Sequence, residues 1–287
     1  QIVVYIGVRL NIKREFSLDI NGITVAGIAY GDSQNAPMLA LHGWLDNAAS
    51  FEQLAKALPD RHILAIDFVG HGKSSHRDKN TSYYIWDNVV DLNSILDALN
   101  LGQVDIMGHS MGASIAMMFA ACFPEKVKQL YLIEGIAPLK YAAQELPQLM
   151  RKAIRQRVKV QNRQAKGYQC FDQMIEARMN GRFPVSRDAA QLLVERGSVK
   201  KEGEYFWSSD PALLLPSINR MNEIQIMAFL EQVAVPVHVF LGEEGLHSDL
   251  WDRYFEKIKT LNVEVFSGNH HLHVYPAGAR KIAAFIN

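Results

Sequence analysis

The spacing of apolar and polar residues changes along the chain and divides it into unlike parts. Residues 16–20 read as a strand, Asn21-Gly22 as a two-residue hairpin turn, and residues 23–30 as the returning strand. Four short apolar runs follow, at residues 38–41, 62–66, 104–107 and 129–133. They end at His42-Gly43, Asp67, Gly108 and Glu134 respectively. Helix-like stretches at 50–58, 82–100 and 111–123 separate them. Short apolar strands joined by helices of this length predict βαβ units and a mostly parallel sheet, with the opening hairpin antiparallel at one edge.

The rhythm then breaks. From about residue 137 to residue 227 no strand pattern is legible, and the segment reads as helices rich in Lys and Arg. The βαβ pattern resumes with a strand at 235–241, a helix at 249–260, a strand at 263–266 and a closing helix at 277–286. The expected organisation is a sheet domain formed by residues 1–136 and 229–287, interrupted by a helical insertion at 137–228. The length of 287 residues suits one large α/β domain carrying such an insertion. With 48% hydrophobic and 21% charged residues, a disordered chain is excluded.

Charge narrows the classes further. Lys plus Arg number 30 and Asp plus Glu number 30, so the net charge is zero, which argues against a dedicated nucleic-acid binder. Cys122 and Cys170 lie in unrelated segments without CxxC spacing, which indicates neither a zinc site nor a disulfide framework and points to a reducing cytoplasm. No apolar run reaches the roughly 18 residues of a membrane span. The apolar opening, QIVVYIGVRL, has no basic leader or small-residue cleavage site. It is therefore not read as a signal peptide; an extra edge strand or an irregular start remains open.

The chemistry centres on Gly108-His109-Ser110-Met111-Gly112, a G-x-S-x-G string between an expected strand and an expected helix. A sharp strand-to-helix turn there lifts the Ser110 hydroxyl clear of the sheet, and side chains in place of the glycines would clash with the turn. The helix N-terminus beneath offers amides to negative charge. Ser110 is thus the candidate nucleophile. Leu41-His42-Gly43-Trp44 directly follows another strand, and the Met111 and Trp44 amides are the candidate oxyanion donors.

Together with Asp67-Phe68-Val69-Gly70-His71-Gly72-Lys73-Ser74, these strings resemble the α/β-hydrolase superfamily over nearly the whole chain from about Phe16. Leu41-His42-Gly43-Trp44-Leu45-Asp46-Asn47-Ala48, Ser208-Ser209-Asp210-Pro211 and Gly268-Asn269-His270 resemble the serine hydrolase-like family within it. The resemblance implies an α/β-hydrolase fold: a mostly parallel eight-stranded sheet, helices on both faces and an inserted helical cap. It implies a structural role for Asp67, and no metal or other cofactor.

A serine hydroxyl needs a general base. The superfamily order is Ser, acid, His, and its G-x-H pattern selects His270 over His271 and His273, which are expected at the core edge or in solvent. His42 and His109 are expected to shape the site. The acid departs from the commonest pattern. Relatives place an Asp three residues past the glycine ending the strand at 235–241, and here that position is Gly245. Glu134 is the first choice instead, because some branches of the superfamily resemble an arrangement with the acid at that strand end. Asp249 and Glu244 are the alternatives.

The insertion is basic. Between residues 139 and 209 there are 14 Lys or Arg and 7 Asp or Glu, a net of +7 against −7 for the rest. Three readings follow, in descending order: a solvated amphipathic helix set against an acidic main domain, attraction of anionic substrates, and binding of nucleic acid or membrane. Tyr168, Phe171, Met174, Phe183, Tyr205, Phe206 and Trp207 are candidates for a pocket lining or for the insertion's own core.

The resulting expectation is a cofactor-free serine hydrolase that cleaves an ester-like acyl bond of a small, largely apolar molecule. Ser110 argues against a haloalkane dehalogenase or epoxide hydrolase, since those members resemble enzymes with Asp there. Acyl transfer, thioester cleavage and carbon–carbon hydrolysis stay open, because pocket shape decides among them. So does a ligand-binding protein on a hydrolase scaffold, which the glycine at 245 motivates. Oligomeric state is not encoded in any pattern found.

Overall fold

The computed structural model describes residues 13–79, 81–160, 167–246 and 249–286. The opening QIVVYIGVRL lies outside them. Strands β1 (Lys13–Ile20) and β2 (Ile23–Tyr30) form the expected hairpin, with Asn21 and Gly22 both at positive φ, 55° and 82°. β3 (Ala36–Leu41), β4 (Arg61–Ile66), β5 (Val104–His109) and β6 (Val127–Ile133) match the four apolar runs. The connecting helices are α1 (Glu52–Ala57), α2 (Asp87–Ala98) and α3 (Met111–Cys122). α2 begins five residues later than its apolar pattern suggested, since residues 81–84 are irregular.

Between β6 and the next sheet strand the chain forms α4 (Leu146–Val160), α5 (Phe171–Met179), α6 (Arg187–Gly197) and α7 (Glu223–Gln232). It also contains an antiparallel hairpin of β7 (Ser198–Lys201) and β8 (Glu204–Trp207), which the expectation of helices alone missed. Its turn is Glu202-Gly203, both at positive φ, and its second strand carries Tyr205, Phe206 and Trp207. Aromatic residues suit a pleated surface, and Gly supplies the turn. The chain closes with β9 (Val237–Glu244), α8 (Asp249–Phe255), β10 (Leu261–Asn269) and α9 (Pro276–Ala283).

Eight strands make one sheet in the order β1-β2-β4-β3-β5-β6-β9-β10. β1, β2 and β4 pair antiparallel, and every later pairing is parallel. Alternate side chains serve opposite faces. Leu39 and Leu41 join one core with α2, α3, α7 and α8, whereas Met38 and Ala40 join the other with α1 and α9. This double burial explains the continuous apolar runs of the central strands. It also fixes the C-terminal ends of β3, β5, β6, β9 and β10 along one sheet edge, where ligands of open α/β sheets bind.

Candidate active site

β5 ends at His109, and α3 starts at Met111, which leaves Ser110 in the turn with φ 51° and ψ −110°. That strained conformation persists because the surroundings over-determine it. A Cβ at Gly112 would overlap the Leu41 carbonyl at the end of β3. Only a glycine lets α3 approach β3 so closely. Ser110 N–H donates to the Ile133 carbonyl at 2.8 Å, tying the turn to β6.

The residue after Ile133 is Glu134, also at positive φ, 53°. Its N–H donates to the Phe240 carbonyl at 2.9 Å, so β9 holds its backbone. Its carboxylate is buried and accepts three bonds from the described residues. Gly242 N–H donates to Oε1 at 2.6 Å, Leu246 N–H to Oε2 at 2.7 Å, and His270 Nδ1–H to Oε2 at 3.0 Å. Because a carboxylate only accepts, the proton sits on Nδ1 of the neutral ring. Nε2 then carries the lone pair, and it faces Ser110 Oγ at 3.1 Å. Ser110, His270 and Glu134 therefore stand in one hydrogen-bonded line.

Of the alternative acids, Glu244 ends β9 with an exposed side chain, and the Asp249 side chain lies outside the described residues. Gly245 has a positive reason to be glycine. A Cβ there would overlap both carboxylate oxygens of Glu134, so the Glu134 carboxylate fills the space where an acid at 245 would begin.

Met111 opens α3, so its amide has no partner within the helix. Trp44 stands in a turn closed by Asp46 N–H donating to the Gly43 carbonyl at 3.1 Å, with Leu45 at φ 62°. Its indole Nε1–H donates to the Leu213 carbonyl at 3.2 Å. His42 stays beneath this loop. Its Nδ1–H donates to the Gly43 carbonyl at 2.7 Å and its Nε2 accepts from Phe68 N–H at 3.0 Å. Burial pushes its pKa down to about 4, so the ring keeps the neutral form that this pair of bonds requires.

Sequence reasoning missed a second buried group behind His270. His109 Nε2–H donates to the His270 carbonyl at 2.8 Å, which leaves its Nδ1 lone pair 3.7 Å from Asp46 Oδ2. His271 is buried rather than solvent-facing, with Nε2 3.0 Å from Asp46 Oδ2. Arg178 Nη2 reaches Asp46 Oδ1 at 2.9 Å and His271 Nε2 at 3.1 Å. Burial alone would raise the Asp46 pKa. The neighbouring His271 and the Arg178 guanidinium outweigh it and hold Asp46 well below the usual carboxylate range. Donor atoms of Asp46, His109 and His271 lie within 4.8 Å of one another, a spacing that could hold a metal ion, but the Arg178 guanidinium stands in the cation's place against two of them. His273 is also buried, 4.2 Å from the His109 ring, and burial pushes its pKa down to about 3.

Asp67 accepts from Ala48 N–H and Lys73 N–H, both at 2.8 Å, and from Arg196 Nε–H at 2.9 Å. Of the aromatic candidates, Phe183 reaches the site, its ring 4.3 Å from that of His270. Tyr168, Phe171, Met174 and Tyr205 instead pack together in a small core of the β6–β9 segment.

Comparison with known proteins identifies the family and the fold. The family model of the alpha/beta hydrolase fold matches residues 36–207. A serine hydrolase-like protein of Danio rerio is 32% identical over 91% of this chain and 83% of its own. A probable serine hydrolase of Drosophila melanogaster is 31% identical over 91% of this chain and 83% of its own. The crystal structure of a hypothetical protein from Pseudomonas aeruginosa PAO1 superposes with a TM-score of 0.90 at 34% identity, covering 95% of this chain and 99% of that one. With its eight-stranded sheet and these relatives, the chain belongs to the α/β-hydrolase family, among the serine hydrolase-like proteins.

Proposed function

We propose that this hydrolase cleaves an ester-like acyl bond of a small, largely apolar substrate through an acyl-enzyme intermediate. The observation that carries the reading is the line from Glu134 Oε2 through His270 to Ser110 Oγ, with steps of 3.0 and 3.1 Å. Ser110 Oγ attacks the carbonyl carbon while His270 Nε2 takes its proton. Glu134 holds the ring in the tautomer with Nδ1 protonated and stabilises the imidazolium that forms. The Trp44 and Met111 amides receive the developing oxyanion. His270 returns the proton to the leaving group, the acyl group stays on Ser110, and a water activated by His270 releases it. No step calls for a metal or cofactor.

Residues 137–228 act as a cap. Phe183 supports this by lying against the His270 ring, and Trp44 by bonding Leu213. The cap walls the pocket with apolar surface and excludes water from the acyl-enzyme. The partner is a small molecule, and the free cysteines Cys122 and Cys170 suit a reducing cytoplasm.

A fluorophosphonate probe tests the reading. It labels the wild-type protein and leaves Ser110→Ala unlabelled, and ester turnover disappears in both Ser110→Ala and His270→Ala. Equal labelling of Ser110→Ala, or saturable ligand binding without turnover across ester, lactone and thioester panels, would overturn it.

A further inference from the structure

We infer that Arg178 is a positioning residue, through which the cap sets the geometry of both the oxyanion turn and the base-bearing loop; this rests on the hydrolase reading above. Arg178 lies in the last turn of α5, and its guanidinium is largely buried. The fork reaches three separate segments. Nη1–H donates to the Phe183 carbonyl at 3.0 Å, fixing the residue whose ring covers His270. Nη2–H donates to Asp46 Oδ1 at 2.9 Å, and the same Nη2 stands 3.1 Å from His271 Nε2, one residue beyond the base.

Asp46 passes the constraint on. Its backbone N–H closes the turn on the Gly43 carbonyl, and Trp44, whose amide points to the oxyanion role, lies inside that turn. A group misplaced by about 1 Å from the reacting centre can cost about 100-fold. Leu45 sits at positive φ, a conformation a non-glycine residue keeps only under such restraint. A planar bidentate group suits this task, and a lysine point charge does not: the arginine presents Nη1 and Nη2 to the Phe183 carbonyl and to Asp46 at once, where a lysine offers one flexible ammonium.

The chemistry of Asp46 also explains why a cation must be present. Its side chain is 3% exposed, and a carboxylate so buried needs a charged partner. Simple neutralisation and positioning make different predictions, and the variants separate them. Turnover of a neutral p-nitrophenyl ester is measured per site titrated with fluorophosphonate, so an unfolded fraction does not count. In Arg178→Met, kcat per titrated site falls about 100-fold with KM within about threefold, the loss of an oxyanion donor in size. Arg178→Lys recovers part of it. Arg178→Met combined with Asp46→Asn regains thermal stability by removing the bare charge, yet keeps the low kcat. Recovery of kcat in that double variant would reduce Arg178 to a counter-ion and overturn the inference.

Amide exchange over residues 42–48, read by mass spectrometry, needs no activity. It quickens in Arg178→Met, and unchanged exchange would equally overturn the inference. Wild-type protein that neither labels nor turns over ester would reject the hydrolase reading, while the exchange measurement still decides the role of Arg178.

Discussion

Glu134 and Gly245 occupy one place between them: the carboxylate of the first fills the volume that any side chain on the second would need. An acid at 245 and an acid at 134 are therefore mutually exclusive ways to reach His270. Glu134→Gln presents an amide in place of the carboxylate, which no longer fixes the tautomer. Turnover falls by about 10⁴, the size of the same defect in a serine protease. Gly245→Asp alone crowds two carboxylates together and inactivates by misplacing Glu134. Glu134→Gly together with Gly245→Asp opens the space and supplies an acid, with Gly suited to the positive φ at 134. This double variant is at least about tenfold more active than either single one, a coupling that contacting residues show. Activity no better than the product of the two single losses would refute the exchange.

The same pair shows why part of the site was legible in sequence and part was not. The βαβ rhythm and G-x-S-x-G depend on neighbours in the chain, so the sheet and the Ser110 turn were readable from local pattern. Glu134 closes an apolar run visibly, but its claim on His270 spans a sequence separation of 136. Resemblance to branches of the superfamily could rank it first among three carboxylates, and only tertiary structure could bring it against the ring. Asp46, His271 and Arg178 were harder still. Their partnership joins three distant segments, and a single Arg near the end of a helix in a basic segment looks solvated. The β7–β8 hairpin was missed because its strands are four residues each and its turn lacks the Asn-Gly or Asp-Gly signal.

Four buried histidines make the protein sensitive to mild acid. Burial lowers the pKa of His42 to about 4 and of His71 and His273 to about 3, and it drives His109 well below its ordinary value. In the unfolded chain each takes a proton near its ordinary pKa of about 6.5. The unfolded state thus binds more protons below that pH, so stability is full above about pH 6.5 and is lost as pH falls toward the folded values. Each histidine steepens the slope by up to about 1.4 kcal/mol per pH unit. Denaturant midpoints between about pH 7 and about pH 5 measure it above the range where most carboxylates titrate. His273 has no hydrogen-bond partner for either ring nitrogen among the described residues. His273→Leu therefore flattens the slope by about one proton; an unaltered slope would sink this account.

The charges of residues 137–228 divide into buried pairs and solvated charge. Arg151, Lys152 and Arg155 on α4 are exposed, whereas Arg178 and Arg196 are paired with buried carboxylates. Exposed charges are screened within about 8 Å at physiological salt. Replacing the three α4 cations with Gln changes kcat/KM by less than about twofold for neutral and anionic esters alike, at low and high salt. A loss confined to anionic esters, and abolished by salt, would instead assign α4 to substrate steering.

Arg196 and its two carboxylate partners provide an internal comparison of burial. Nε–H bonds both oxygens of Asp67 at 2.9 Å, and Nη1–H bonds both oxygens of Glu15 at 2.8 Å. The Asp67 side chain is 0% exposed and that of Glu15 52%. Arg196→Met leaves the Asp67 charge without its cation in the interior and costs about 3–5 kcal/mol of stability. Glu15→Gln removes a wet, screened partner and costs less than about 1 kcal/mol. The first loss persists in high salt because water and ions do not reach Asp67; the second shrinks with it. Chemical denaturation of both variants with and without about 0.5 M NaCl reads the contrast. Equal losses, or an Arg196→Met deficit that salt removes, would mean that the fold opens to solvent around Asp67 far more than its burial implies.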